Sequence, residues 1–265
     1  MNDPWHTLRR FTQARIALGR AGHALPTGAL LEFQLAHALA RDAVHLPWDV
    51  DACAERIRGL GAECLIVETP VADRVTYLRR PDLGRVLTEA SRALLQSCAA
   101  ADIDVALALT NGLSSSAVER HALPLLREIL GLYQSQGIRV GPICLAANGR
   151  VALSDEIGAA LDAQVAVIVV GERPGLSAAD SLGIYLTYAP RSGNTDAQRN
   201  CISNIRPPEG LDYPDAAAKL LYLTREAIRR KLSGVELKDD MDVKLAGEGS
   251  GGGDAALGAI GADGL

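Results

Sequence analysis

From about residue 50 the chain alternates between short apolar runs rich in β-branched residues and longer segments whose apolar positions recur every three or four residues. Such alternation is the sequence form of an α/β fold, a mostly parallel sheet whose strands are joined by flanking crossover helices. The pattern predicts strands over residues 63–68, 104–110, 138–146, 165–170 and 184–188. Helices are predicted over 51–60, where Gly61 stops the run, and over 82–100, capped by Asp82. Ser116 and Glu119 have capping-box spacing, so a third helix starts there and runs to about residue 136. A fourth spans 154–161, with Asp155 and Glu156 in its first turn. The last, 214–232, places Ala217, Leu220, Leu221, Thr224, Ala227 and Ile228 on one face and takes Gly234 as its stop. Residues 77–81 read as a polar loop or an edge strand.

Ahead of this alternation, residues 8–45 read as a helical segment broken once, at 19–26. Pro26-Thr27 offers a helix start, and Leu31, Leu35, Ala38 and Leu39 then recur as one stripe, expected to be buried. His37, Arg41 and His45 lie a turn apart. A solvated or subunit-facing surface accounts for them better than a ligand contact does, and Pro47 ends the helix. The chain therefore divides into a helical segment (1–47), an α/β domain (48–240) and a glycine-rich tail (241–265) whose GEGSGGG run reads as a flexible linker outside the fold.

Composition narrows the function more than the fold. With 48% apolar residues, no apolar run of transmembrane length and a formal charge of -5, neither a membrane nor a nucleic acid is expected as partner. Five scattered cysteines (Cys53, Cys64, Cys98, Cys144, Cys201) and an N-terminus without an apolar signal core fit a reducing cytoplasm.

Candidate chemistry gathers after the strand at 165–170, which is apolar throughout and so expected to be buried on both faces. It ends in Gly171-Glu172-Arg173-Pro174-Gly175, a sharp turn at the carboxyl end of a strand, where open α/β sheets place ligands. The polar run 191–204 (Asn194, Asp196, Arg199, Asn200, Cys201, Ser203, Asn204) reads as a loop offering a binding surface. Common motifs are missing: GxGxxG occurs only at 247–252 in the tail, and there is no GxxxxGK[ST], HExxH, Cys/His cluster or GxSxG. Ser114, Ser115 and Ser116 stand at a strand-to-helix turn, and helix capping accounts for them. A stand-alone Rossmann-like nucleotide-binding protein or enzyme would need a glycine fingerprint or an acid/base constellation, and the sequence has neither.

The segments GERPGL (171–176), DSLGIYLTYAPR (180–191) and RNCISNIRP (199–207) resemble the small (light) subunit of ethanolamine ammonia-lyase. So do ARIALGRAG (14–22), RRPDLGR (79–85), NGLS (111–114) and GRVALSDEIG (149–158), in the family's order, over residues 8–236. The resemblance implies a Rossmann-like domain at 48–240 that helps enclose adenosylcobalamin against a larger catalytic subunit, a TIM barrel that holds the ethanolamine site. It implies a radical lyase giving acetaldehyde and ammonia, with this chain inactive alone.

By motif matching the cobalamin contacts carry over to Val151, Glu172 and Cys201. Their own chemistry leaves alternatives: Val151 as an apolar strand residue, Glu172 as an ion-pair partner of a nearby arginine such as Arg173, Cys201 as a core thiol. The DxHxxG signature of histidine-on cobalamin proteins is absent, so no metal ligand is expected from this chain and the cofactor keeps its own benzimidazole. Two departures stand out. Asn111 replaces an aspartate frequent in the family, and the match begins so near the start that the extension tied to microcompartment packaging is not expected.

Overall fold

The computed structural model describes residues 5–100 and 102–241. At its centre is a six-stranded sheet in the order β1-β3-β2-β4-β5-β6, formed by β1 (Cys64–Ile66), β2 (Val105–Thr110), β3 (Ile143–Ala146), β4 (Val165–Gly171), β5 (Leu182–Tyr188) and β6 (Arg199–Ile205). The first four are mutually parallel; β5 runs antiparallel to β4, and β6 to β5. The helices are α1 (Thr27–His45), α2 (Val50–Arg58), α3 (Arg74–Arg79), α4 (Glu89–Ser97), α5 (Ser115–Ala117), α6 (Leu123–Ser135), α7 (Leu153–Ala160) and α8 (Tyr213–Arg230). This is the α/β, mostly parallel architecture that the sequence predicts, with helices on both faces and a helical segment in front.

Every residue of β2, β3 and β4 is buried. Side chains alternate between faces, so Val105, Leu107, Leu109, Val165, Val167 and Val169 enter one core, beneath α2, α6 and α8. Ala106, Ala108, Cys144, Ala146 and Ile168 enter the other, with side chains from α7. The alanines on that second face are what let α7 pack directly on β2.

Several boundaries differ from expectation, each for a local reason. Of residues 77–81 only 80–81 are loop: α3 occupies 74–79, capped by Asp73, which accepts from Thr76 N at 2.7 Å, and Tyr77 is buried. The expected helix at 82–100 is a short 3-10 turn followed by α4. Thr88 is the cap, while Asp82 is engaged by Arg80 (2.9 and 2.6 Å). Ser114, not Ser116, caps the next helix, accepting from Ala117 N, and Glu119 pairs with Arg56 at 2.9 Å. A π-helical stretch, Val118–Ala122, joins α5 to α6. Lys231, left-handed at φ 57°, ends α8 in place of Gly234.

Two corrections reach further. The first half of the N-terminal segment is not helical beyond a 3-10 turn at His6–Phe11, because Ala17, Gly19 and Gly22 take left-handed backbone (φ 52, 76 and 64°). The stripe on α1 is not buried: Leu31, Leu35 and Leu39 are 58, 63 and 53% exposed, Ala38 is half-buried, and only Ala43 of the helix is buried. The stripe has the right period, but the described chain covers it only in part, Leu35 and Leu39 forming one side of a groove that Leu176 shares. His37, Arg41 and His45 are exposed as well. The tail at 242–265 lies outside the described residues.

Candidate functional site

Three loops converge at the carboxyl ends of β2, β3 and β4. Gly112, at φ 49°, lets the loop after β2 touch the end of β4: a Cβ there would lie 2.3 Å from Val170 Cγ2 and 2.4 Å from the Gly171 carbonyl oxygen. Leu113 N donates to that same carbonyl at 2.9 Å. Asn111, buried, ties in the loop after β3, since its Oδ1 accepts from Asn148 N (2.8 Å) while its Nδ2 donates to Ser115 Oγ (3.1 Å). Asn111 thus works as a neutral cross-link, a task that requires no negative charge. Ser114 is spent on structure too, capping α5 and donating to the Ala179 carbonyl at 2.9 Å. These loops bound an open cleft of about 450 Å³ lined by Gly112, Val151, Glu172, Arg173, Tyr185 and Ser203, among others.

Glu172 is the fixed polar point of this cleft. Ser203 Oγ donates to its Oε1 at 2.5 Å, while Ser181 Oγ (2.7 Å) and Asn204 N (3.1 Å) donate to Oε2. Gly183 makes room, since a Cβ there would lie 2.9 Å from Oε1. Among the described residues neither Arg173 nor any other arginine forms an ion pair with it. A carboxylate oxygen offers about two acceptor positions, so Oε1 keeps one for a ligand N–H or O–H.

Val151 is half-buried just before α7, and its carbonyl already accepts from Ser154 N (3.2 Å) and Ser154 Oγ (2.9 Å). What it brings to the cleft is its isopropyl group. Cys201 stands on β6 opposite Tyr185 of β5, one strand-width from the cleft wall, and does not line the cleft itself. It is no core thiol. The residue is exposed, yet desolvation around the sulphur pushes the thiol up, while the Tyr185 hydroxyl beside it pulls the other way. The thiol is therefore neutral near pH 7. Burial also raises the Tyr185 phenol. Tyr185, Cys201 and Ser203 form a sheet face beyond the edge of α7, whereas Ile184, Leu186 and Ile202 on the opposite face are buried in the core that α8 shares. Among the described residues no three His, Cys, Asp or Glu side chains converge as a metal site would require.

The polar run after β5 is a correction. Residues 199–205 form a strand, and most of the polar groups serve the fold. Arg199 is paired with Asp155 of α7 in a buried contact and with Asp196 at 2.7 Å. Asn200 latches the C-terminal segment through the Leu237 carbonyl (2.7 Å) and Gly234 N (2.7 Å), and Asn194 accepts from Arg191 N. Only Ser203 and the Asn204 amide face Glu172. Sequence reasoning missed Tyr185, Ser181 and Arg150 as neighbours of the cleft. Alternation along two paired strands would have put Tyr185 and Cys201 on one face, but only with their register in hand.

Comparison with known proteins bears directly on this geometry. The family profile of the ethanolamine ammonia-lyase light chain (EutC) matches residues 2–238. The ethanolamine ammonia-lyase small subunit of Azotobacter vinelandii is 55% identical over 260 residues, covering 97% of this chain and 96% of that one. The chain belongs to the ethanolamine ammonia-lyase light-chain family. The small subunits of Pseudomonas aeruginosa (strain UCBPP-PA14) and Ralstonia nicotianae are each 54% identical, over 250 and 246 residues, with 93 and 92% of this chain and 91% of theirs covered. Ethanolamine ammonia-lyase is an adenosylcobalamin-dependent carbon–nitrogen lyase in which a large subunit is the partner of the light chain. The cleft suits such a cofactor on two counts. Tyr185 of β5, half-buried, and the exposed Cys201 and Ser203 of β6 give it a side wall against which a ring can lie, and the remaining acceptor position on Glu172 matches the amide N–H donors around a corrin.

Proposed function

We propose that the rim cleft is this chain's half of the cobalamin site, with Val151, Glu172 and Cys201 as its contacts to the cofactor. The observation that carries the reading is the bonding of Glu172 to Ser203 and Asn204, which joins the turn after β4 to the strand that bears Cys201. Bound cofactor supplies an adenosyl radical. This chain's residues hold the corrin, fix one edge of it through Glu172 and keep water away on one side. The reacting groups for ethanolamine belong to the large subunit. Neither β2 nor β4 is followed by a GxGxxG turn, so nothing favours an independent nucleotide site.

The exposed stripe of α1 is read as the face that the large subunit covers. It reaches the segment that follows β4 and Glu172: Arg15 Nη2 donates to the Leu176 carbonyl at 3.2 Å, and Leu35, Leu39, Leu46 and Leu176 share one groove. A subunit closing over the corrin would meet both. The cytoplasm is the proposed compartment, supported by five unbridged cysteines; among the described residues no helix is long and apolar enough to cross a membrane.

In the complex assembled with the large subunit, Glu172→Ala is expected to weaken adenosylcobalamin binding about tenfold, the scale of one charge-assisted hydrogen bond. The KM for ethanolamine at saturating cofactor should stay as it was. Equilibrium binding followed by the cofactor's absorbance checks this, and unchanged cofactor affinity would overturn the reading.

A further inference from the structure

Tyr77 is a buried ring between two guanidiniums. Arg150 lies 3.9 Å and Arg74 4.6 Å from its centroid. The arrangement is rigid. Tyr77 OH donates to the Gly149 carbonyl (3.1 Å) and Arg150 Nη2 to the Tyr77 carbonyl (2.8 Å). Arg74 Nε donates to the Val44 carbonyl (2.6 Å) and its Nη1 to Asn148 Oδ1 (2.9 Å).

Among the described residues neither arginine is paired with a carboxylate, whereas Arg92, Arg139, Arg199 and Arg206 each are. Arg150 Nε and Arg74 Nη2 are buried without a hydrogen-bond partner. Burial holds Arg74 below the usual guanidinium value, and the charge of Arg150 pushes it the same way. Tyr77 and Arg150 line the cleft beside Val151, and Arg173, which also has no carboxylate partner, lines it too. The one acidic side chain on that lining, Glu172, is engaged by Ser181, Ser203 and Asn204. The cleft wall therefore carries positive charge that the chain itself does not balance. The guanidiniums of Arg74 and Arg150 are held by neighbours, while Arg173 is exposed at the mouth of the cleft.

We infer that Arg150, backed by Arg74 through the Tyr77 ring and helped by Arg173, receives a phosphodiester, and that in the assembled lyase this is the phosphate of the cofactor's nucleotide loop. The inference rests on the reading of the cleft as the cobalamin site. The acid side chains of a cobalamin corrin are amides, which leaves the phosphodiester as the anionic group on its periphery. A guanidinium fork matches two phosphate oxygens, and closure by the large subunit strengthens the pair by removing water.

The test uses the assembled complex and two ligands, adenosylcobalamin and adenosylcobinamide, which lacks the nucleotide loop and its phosphodiester. Arg150→Gln keeps a donor for the Tyr77 carbonyl and removes the charge. It is expected to weaken adenosylcobalamin binding about tenfold and to leave adenosylcobinamide binding unchanged, with Arg150→Lys intermediate. An equal effect on both ligands, or none on either, would overturn the inference. Should Arg150→Gln fail to assemble, the unmodified complex decides: added salt must weaken adenosylcobalamin more steeply than adenosylcobinamide, and parallel slopes count against the phosphate contact. Glu172→Gln serves as the control for the cleft itself. If it leaves both ligands unaffected, the cobalamin reading fails; if it weakens both while Arg150→Gln shows no preference, only the phosphate assignment fails.

Discussion

Leucines in two parts of this chain have opposite fates. In the sheet domain Leu107, Leu109 and Leu145 have no exposed surface, while on α1 Leu31, Leu35 and Leu39 are more than half exposed. Both sets are spaced as their secondary structure requires. What differs is the extent of the cover: β2 and β3 meet helices of the same chain on both faces, whereas α1 lies along an open groove and keeps Leu31, Leu35 and Leu39 more than half exposed. Periodicity reports that a face wants burial. It carries no information on which molecule supplies the cover. An exposed apolar stripe of this kind is the surface that the proposed cover by the large subunit would bury.

The sharpest way to break this comparison is to truncate one leucine of each kind. Leu145→Ala leaves a cavity in the core beneath α2, α6 and α8 and should cost about 2–5 kcal/mol of unfolding free energy. Leu35→Ala in the same denaturant titration should move stability by less than about 0.5 kcal/mol. Comparable losses for the two would mean that α1 is packed in solution as tightly as the sheet, and the contrast would dissolve.

The sheet was legible because its signals are local and redundant. An apolar, β-branched run such as VAVIVV, bounded by turn residues, reads as a strand buried on both faces. The errors fall where a side chain had competing uses. Asp82 resembles a cap but is taken by Arg80, and Glu119 completes a capping-box spacing but is taken by Arg56. At the cleft, Glu172 could be chosen from its place after β4. Its partners could not, since Ser181 and Ser203 come to it through the β4–β5–β6 pairing and that register is not written in any short motif. The polarity of its segment makes Cys201 read as a loop residue, yet edge strands are polar on their open face.

The second test asks what covers α1. Leu35→Ser together with Leu39→Ser should leave the thermal midpoint of the isolated chain in place and weaken assembly with the large subunit about tenfold or more, as expected for losing two interface anchors. Analytical ultracentrifugation reads both partners at once. If the double variant instead abolishes self-association of this chain and assembles normally with the large subunit, the stripe belongs to a second copy and the proposed orientation is wrong.

The smallest effect sits at the seam between the two regions. His121 is buried with Nδ1 2.8 Å from Tyr213 OH, and its other nitrogen is 3.6 Å from Asp180, which also holds Arg120 and Arg206. Burial pushes the imidazole below its ordinary value of 6.5; Asp180 pulls upward, and the two arginines side with burial. A histidine whose folded value is depressed takes up its proton more readily in the unfolded chain. Its contribution to stability is therefore complete above about pH 6.5 and is lost as pH falls from there towards the folded value. Thermal midpoints measured from pH 7.5 to 5.5 should decline more steeply in the unmodified chain than in His121→Gln, whatever the variant's absolute stability. Because the buried ring belongs to the sheet domain, Leu35→Ser should leave that slope as it is. Equal slopes for the unmodified chain and His121→Gln would show that the ring titrates as if in water, and the seam would then be as open as the face of α1.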